Sequence, residues 1–158
     1  MPLTLANEEL FTDSAFFAEK HRMDELIDLF KFSERRVLFG EGALANLEDE
    51  CQRLATTRAL LVRDPGVNKL AAEVRRALVE TRIDLVGEYD GVMRNPTVES
   101  VAACADAIAD AGCDVVIALG GGSTLDTAKA AACVATTRTS IDAYWGFDLI
   151  PEPARCPV

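Results

Sequence analysis

A chain of 158 residues can bury the core of one domain, and 49% hydrophobic with 27% charged residues is the composition of a folded globular protein, not a disordered one. No apolar run approaches the roughly 20 residues that cross a bilayer, and Glu8, Glu9 and Asp13 stand where a signal peptide needs positive charge, so the expectation is a cytoplasmic protein with no membrane partner. A formal charge of −10 repels phosphate backbones, which makes nucleic acid a poor partner.

Residues 1–32 read as an N-terminal extension. It holds half of the net negative charge, with seven acids against Lys20 and Arg22 in the first thirty residues. Phe16, Phe17, Met23, Leu26, Ile27, Leu29 and Phe30 are spaced loosely as an amphipathic helix, packed on the domain or against another subunit. From residue 33 to 150 two periods alternate. Val37, Leu38 and Phe39 form a short strand closed by Gly40 and Gly42; Leu44, Leu47, Cys51 and Leu54 then give a helix with one apolar face. Residues 59–62 are a second strand, ended by the turn signal Asp64-Pro65-Gly66, and Val67, Leu70, Ala71, Val74 and Leu78 mark the next helix. Residues 83–89 form a third strand; Thr97 can cap a helix whose face is Val98, Val101, Ala102, Ala105, Ile108 and Ala109. Val115–Leu119 is the fourth strand, followed by a helix over 123–135. Strand–helix repeated four times, with strands apolar throughout, predicts an α/β fold with an open, doubly wound parallel sheet, Rossmann-like. Pro151, Pro153 and Pro157 mark 151–158 as a linker or a severed end.

The residues loudest in chemistry lie between the last strand and the last helix: Gly120-Gly121-Gly122-Ser123-Thr124-Leu125-Asp126-Thr127-Ala128-Lys129. Glycines let a ligand approach the backbone, and a helix N-terminus offers unpaired N–H groups and positive partial charge, which suits a pyrophosphate. The pattern is not the usual dinucleotide fingerprint, because Leu125 stands where the third glycine belongs, and no Gly-Lys-Ser/Thr follows as in a Walker loop. Asp142, about twenty residues on, is not clearly at a strand end and is declined as the ribose acid. Asp64 ends a strand; a carboxylate there can accept both ribose hydroxyls and repel a 2′-phosphate, favouring NAD over NADP, although Arg63 beside it weakens that exclusion and Asp64-Pro-Gly reads equally well as an ordinary turn. The cysteines at 51, 104, 113, 133 and 156 contain no C-x-x-C pair and read as small buried hydrophobes; the single histidine, His21, reads as a surface or packing residue.

Together Phe39-Gly40-x-Gly42-Ala-Leu, Ala59-Leu-Leu-Val-x-Asp64, Tyr89-Asp90-Gly91-Val92 with Asn95-Pro96-Thr97, and Gly120-Gly-Gly-Ser-Thr-Leu-Asp126-Thr-Ala-Lys129 resemble the iron-containing (group III, metal-dependent) alcohol dehydrogenases, over about residues 36–145. The resemblance implies a nicotinamide cofactor, NAD rather than NADP, with its adenosine ribose at Asp64. It also implies pyrophosphate contacts from the glycine turn (Gly120, Gly121, Gly122) and Ser123, with Asn95, Thr124 and Asp126 lining the same cleft. Read without it, Asn95-Pro96-Thr97 is a turn plus helix cap, and Asp126 with Lys129 a surface ion pair. Asp126-Thr127, where maleylacetate reductases have Gly-Leu, and Ser123 with Asn-Pro-Thr, which fit less well to glycerol dehydrogenases, favour the alcohol dehydrogenases.

Family members continue into a Thr/Gly-rich segment and a helical domain whose Asp and three His bind iron or zinc. The resemblance therefore implies that this chain is the NAD(P)-binding portion, with catalytic and metal residues expected in the half that is absent. In the complete enzyme hydride would pass between a small alcohol or aldehyde and the nicotinamide, with the metal polarising the oxygen. Isolated, the chain is expected to bind NAD weakly and to be inactive. It stands as a fragment, a truncated gene product or one subunit of a split enzyme, and its partner is a second copy or a complementing C-terminal half. A different class of reading makes it a non-catalytic nucleotide-binding or oligomerisation module.

Overall fold

The computed structural model describes residues 36–146 and 149–158. The expected N-terminal amphipathic helix and His21 lie outside the described residues. Contacts divide the chain into two units, Met1–Phe39 and Gly40–Val158. Within the first, the expected strand at Val37, Leu38 and Phe39 is absent: these residues carry no regular structure. Three residues supply too few ladder hydrogen bonds to hold a strand, and pairing is a property of the partner as much as of the run.

The second unit contains, among the described residues, a three-stranded parallel sheet instead of the expected four strands. In chain order it comprises a 3-10 turn at Ala43–Asn46, α1 (Leu47–Arg53), β1 (Arg58–Arg63), α2 (Asn68–Val79), β2 (Asp84–Tyr89), α3 (Val98–Ala111), β3 (Val115–Leu119), α4 (Gly122–Thr137) and a 3-10 turn at Ile141–Tyr144. The strand order is β2-β1-β3, with Ala59 opposite Val115 and Arg63 opposite Leu119. On its other side β1 pairs from Arg58 with Asp84 to Val62 with Tyr89, with a register shift at Ala59/Leu60.

Alternation along the central strand sorts the core into two layers. Leu60 and Val62 of β1 and Val116 of β3 face α3 and α4, meeting Val101, Cys104, Ala105, Ile108, Ala128, Ala131 and Ala132. Ala59 and Leu61, with Val115, face α1 and α2, meeting Cys51, Ala71, Val74 and Leu78. Helices thus cover both faces, which is why β1 and β3 read as apolar runs, while the edge strand β2 carries Asp84 and Glu88. The sheet is doubly wound: the helix after β1 lies on one face and the helix after β3 on the other.

Capping fixes where α3 begins. Thr97 Oγ1 accepts from Ser100 N at 3.2 Å and Ser100 Oγ accepts from Thr97 N at 2.9 Å, a reciprocal box at the position expected from the sequence. At the opposite end of the sheet, Asp114 ties β3 to the start of β1. Its carboxylate accepts from Thr57 N at 3.0 Å, from Arg58 N at 2.7 Å and from Thr57 Oγ1 at 3.2 Å. Residues 149–158, expected to be a linker or severed end, run against the free edge of β3, where Pro157 O accepts from Val116 N at 2.8 Å.

Candidate functional site

In an open parallel sheet ligands lie beyond the carboxyl ends of the strands, where neighbouring strands send their connections to opposite faces. Here that point falls between β1 and β3. Asp64, the first residue after β1, donates its N–H to Leu119 O at 3.0 Å, so the ends of the two strands are joined. Asp64 Oδ1 accepts from Gly66 N at 2.7 Å, an Asx turn that orients the carboxylate and satisfies the ordinary-turn reading. Gly120 lies directly beside it: a Cβ built on Gly120 would be 3.2 Å from Asp64 Cβ and 2.2 Å from Thr124 Oγ1. Two sequence motifs 56 residues apart therefore share one crevice.

The three glycines differ. None of Gly120, Gly121 and Gly122 has a positive φ, so the turn does not use glycine's freedom of conformation. Gly120 is required by the protein's own packing, since Thr124, only 1% exposed, fills the space below it. Around Gly121 and Gly122 an added Cβ would meet nothing within 4 Å. Packing does not demand glycine there, whereas close approach of a ligand to the backbone would. The N-cap of α4, Gly121, makes no side-chain cap, and no acid occupies the first turn. Gly121 O accepts from Thr124 N at 3.0 Å and Leu125 N at 3.1 Å, so the N–H groups of Gly122 and Ser123 precede the first bonded turn and point outward. An uncapped, acid-free helix start is the electrostatic complement of an anion.

Asp126 is exposed one helical turn beyond Gly122 and lines a cleft of about 480 Å³ with Pro96, Thr97, Val101 and Ala130. The structure thus brings Pro96 and Thr97, next to Asn95, and Asp126 to one groove. Asn95 itself is exposed and its backbone is left-handed (φ 55°), a conformation that Asn tolerates, so local turn chemistry accounts for the residue type. Ser123 is half-buried, its carbonyl accepting from Thr127 Oγ1 at 2.7 Å. The same cleft is walled by Asp142, Tyr144 and Trp145, the indole being 83% exposed. Of these the sequence offers only Asp142, by its spacing from the glycine turn, and as a ribose acid it is declined; Tyr144 and Trp145 carry no signal beyond being adjacent aromatics.

Arg63 was read as a charge that would offset Asp64. It is 9% exposed, and its guanidinium donates to Glu88 Oε2 at 3.3 Å, Asp90 Oδ2 at 3.0 Å and Asn68 Oδ1 at 3.1 Å. Its charge is committed to β2 and the turn after it. Arg75 Nη2 donates to the same Glu88 at 2.7 Å, and chiefly that bond holds the Glu88 carboxyl below the usual carboxylate range. Among the described residues no group of three or more His, Cys, Asp or Glu side chains is arranged to hold a metal ion. No helix there is long and apolar enough to cross a membrane.

Helices on both faces of a parallel sheet, with a glycine turn at its switch point, define a Rossmann-like α/β domain. Residues 34–158 match the family model of the iron-containing alcohol dehydrogenases, and the chain belongs to that family. It is 32% identical over 125 residues to a sulfoacetaldehyde reductase of Bilophila wadsworthia, covering 78% of this chain and 32% of that protein. It is 36% identical over 117 residues to alcohol dehydrogenase 4 of Schizosaccharomyces pombe, covering 73% and 28%. The fold superposes on a crystal structure of 1,3-propanediol oxidoreductase with a TM-score of 0.70 at 28% identity, over 76% of this chain and 32% of that one. A sulfoacetaldehyde reductase from Bifidobacterium kashiwanohense, solved in complex with NAD+, matches with a TM-score of 0.61 at 29% identity, over 68% and 28%. A maleylacetate reductase of Rhodococcus opacus is also a relative, 32% identical over 129 residues (78% of this chain, 34% of that protein). The chain spans about a third of the length of these curated relatives.

Proposed function

We propose that this chain is the nicotinamide-dinucleotide-binding portion of an iron-type alcohol dehydrogenase, acting in hydride transfer between a small alcohol and its aldehyde. The observation that carries the reading is the uncapped start of α4, fronted by open space at Gly121 and Gly122 and set beside Asp64 at the switch point. In this reading the N–H groups of Gly122 and Ser123 bind the pyrophosphate, and Gly121 leaves it room. Asp64 accepts the ribose hydroxyls. Because Arg63 is neutralised by Glu88 and Asp90, it does not weaken repulsion of a 2′-phosphate, which supports NAD over NADP. Gly120 and buried Thr124 shape the turn from beneath. Asp126 lines the adjoining cleft, and Asn95 precedes its Pro96 wall; there they would orient the rest of the cofactor. When bound, the nicotinamide accepts or delivers the hydride.

The family's iron or zinc finds no three-ligand cluster among the described residues. Catalysis would need a complementing C-terminal half, alone or within a homodimer; the place of action proposed is the cytoplasm. The test is titration of the isotopically labelled 158-residue chain with NAD to millimolar concentration, followed by amide resonances. Shifts at Gly121, Gly122, Ser123 and Asp64, weaker with NADP, are expected; unmoved signals there would sink the reading. Supplied with ferrous or zinc salts and simple alcohols, the chain alone is expected to form no NADH, whereas turnover would contradict the division of labour proposed. Binding without hydride chemistry in any mixture with a family C-terminal half would favour a non-catalytic nucleotide-binding or oligomerisation module.

A further inference from the structure

Three of the five cysteines meet in one place. Cys104 and Cys113 belong to the core layer between the sheet and α3/α4, and Cys156, near the end of the tail, packs against it. The tail is held at three points: Pro157 O accepts from Val116 N at 2.8 Å, Thr136 Oγ1 from Arg155 N at 2.9 Å, and Cys113 O from the Cys156 thiol at 3.1 Å. The Cys113 thiol itself donates to Ile108 O at 3.8 Å and feels the Cys156 thiol electrostatically. Two cysteines 43 apart in sequence thus touch beside the start of β3, Cys113 buried and Cys156 half-buried.

We propose that Cys156 and Cys113 are a thiol–disulfide pair, oxidised by a small disulfide of the glutathione type, which locks the tail to the edge of β3. The half-buried Cys156 thiolate attacks one sulfur of the small disulfide, expelling one thiolate and forming a mixed disulfide. The Cys113 thiolate then attacks the Cys156 sulfur and expels the second. Two protein thiols lose two protons and two electrons, and the small disulfide is reduced to two thiols. Access sets the order. Cys113 is 9% exposed, and burial first, then Cys156, push its thiol up to about 11, so it reacts when the target sulfur is delivered to it. Cys104 is fully buried, and burial pushes its thiol up to about 12, which leaves it out of the exchange.

The test uses the whole 158-residue chain, incubated with oxidised glutathione at mildly alkaline pH. Free thiols should fall from five to three, a peptide joining Cys113 to Cys156 should be recovered, and exchange of the Val116 amide should slow at least tenfold, reversed by dithiothreitol. Cys113→Ser should instead retain a glutathione adduct on Cys156, because nothing resolves it. A stable adduct on Cys156 in the unsubstituted chain, no loss of thiols, or linkage of other cysteines would each overturn the pairing. The peptide map of the unsubstituted chain decides the matter even if Cys113→Ser does not fold.

Discussion

A methyl group added to Gly120 would meet Thr124 Oγ1 at 2.2 Å, whereas one added to Gly121 or Gly122 would meet nothing within 4 Å. The two cases predict opposite outcomes. Gly120→Ala forces Thr124 or the backbone to move and should cost about 1–3 kcal/mol of stability by overpacking, read as a lower denaturation midpoint. Gly122 is the first residue of α4 and has no positive φ, so Gly122→Ala should stabilise by about 0.4–1 kcal/mol through the unfolded chain. Under the proposed function the same methyl group crowds the pyrophosphate, so NAD affinity should fall about tenfold or more, close to 1.4 kcal/mol. Calorimetric titration alongside thermal melting separates the effects; unchanged affinity would remove Gly122 from the site.

At the scale of elements, two carboxylates, Asp114 at the amino ends of the strands and Glu88 near their carboxyl ends, tie neighbouring elements together. Asp114 joins the start of β3 to the start of β1 through Thr57 N, Arg58 N and Thr57 Oγ1. Partial burial opposes its ionisation, but the backbone donors of Arg58 and Thr57 outweigh that and hold its carboxyl below the ordinary range. Asp114→Asn exchanges an acceptor for a donor facing two N–H groups and should cost about 1–2 kcal/mol. Glu88 plays a parallel part between β2, α2 and β1 through Arg75 and Arg63. Both carboxyls are depressed in the folded state. Each therefore contributes stability that is complete above its unfolded value near 4 and is lost as pH falls through the lower folded value. Denaturant midpoints should stay flat from neutrality to about pH 5 and drop below it. The drop should be shallower in Asp114→Asn; an equal slope would assign the acid lability elsewhere.

At the scale of the whole molecule, the helix pattern was legible because it is local. The apolar spacing of Ala71, Val74 and Leu78, the Thr97 cap and the glycine turn after Val115–Leu119 all rest on residues close in sequence. The doubly wound class followed, because strands apolar on both sides can only be buried under helices on both faces. What failed was what needs a partner. Val37, Leu38 and Phe39 have strand composition but no ladder.

The amino-acid order by itself determined the class of fold, the family and the residues worth watching, since each is written in short-range pattern. Only the tertiary structure decided that Asp64 and Gly120 adjoin, that Thr124 is buried beneath the turn, that Arg63 is spent on Glu88 and Asp90, and that Cys156 meets Cys113. The physical reason is the same throughout. Charge neutralisation, burial and thiol pairing depend on distances between residues some 25 to 60 positions apart, and chain connectivity sets no such distance until the sheet closes.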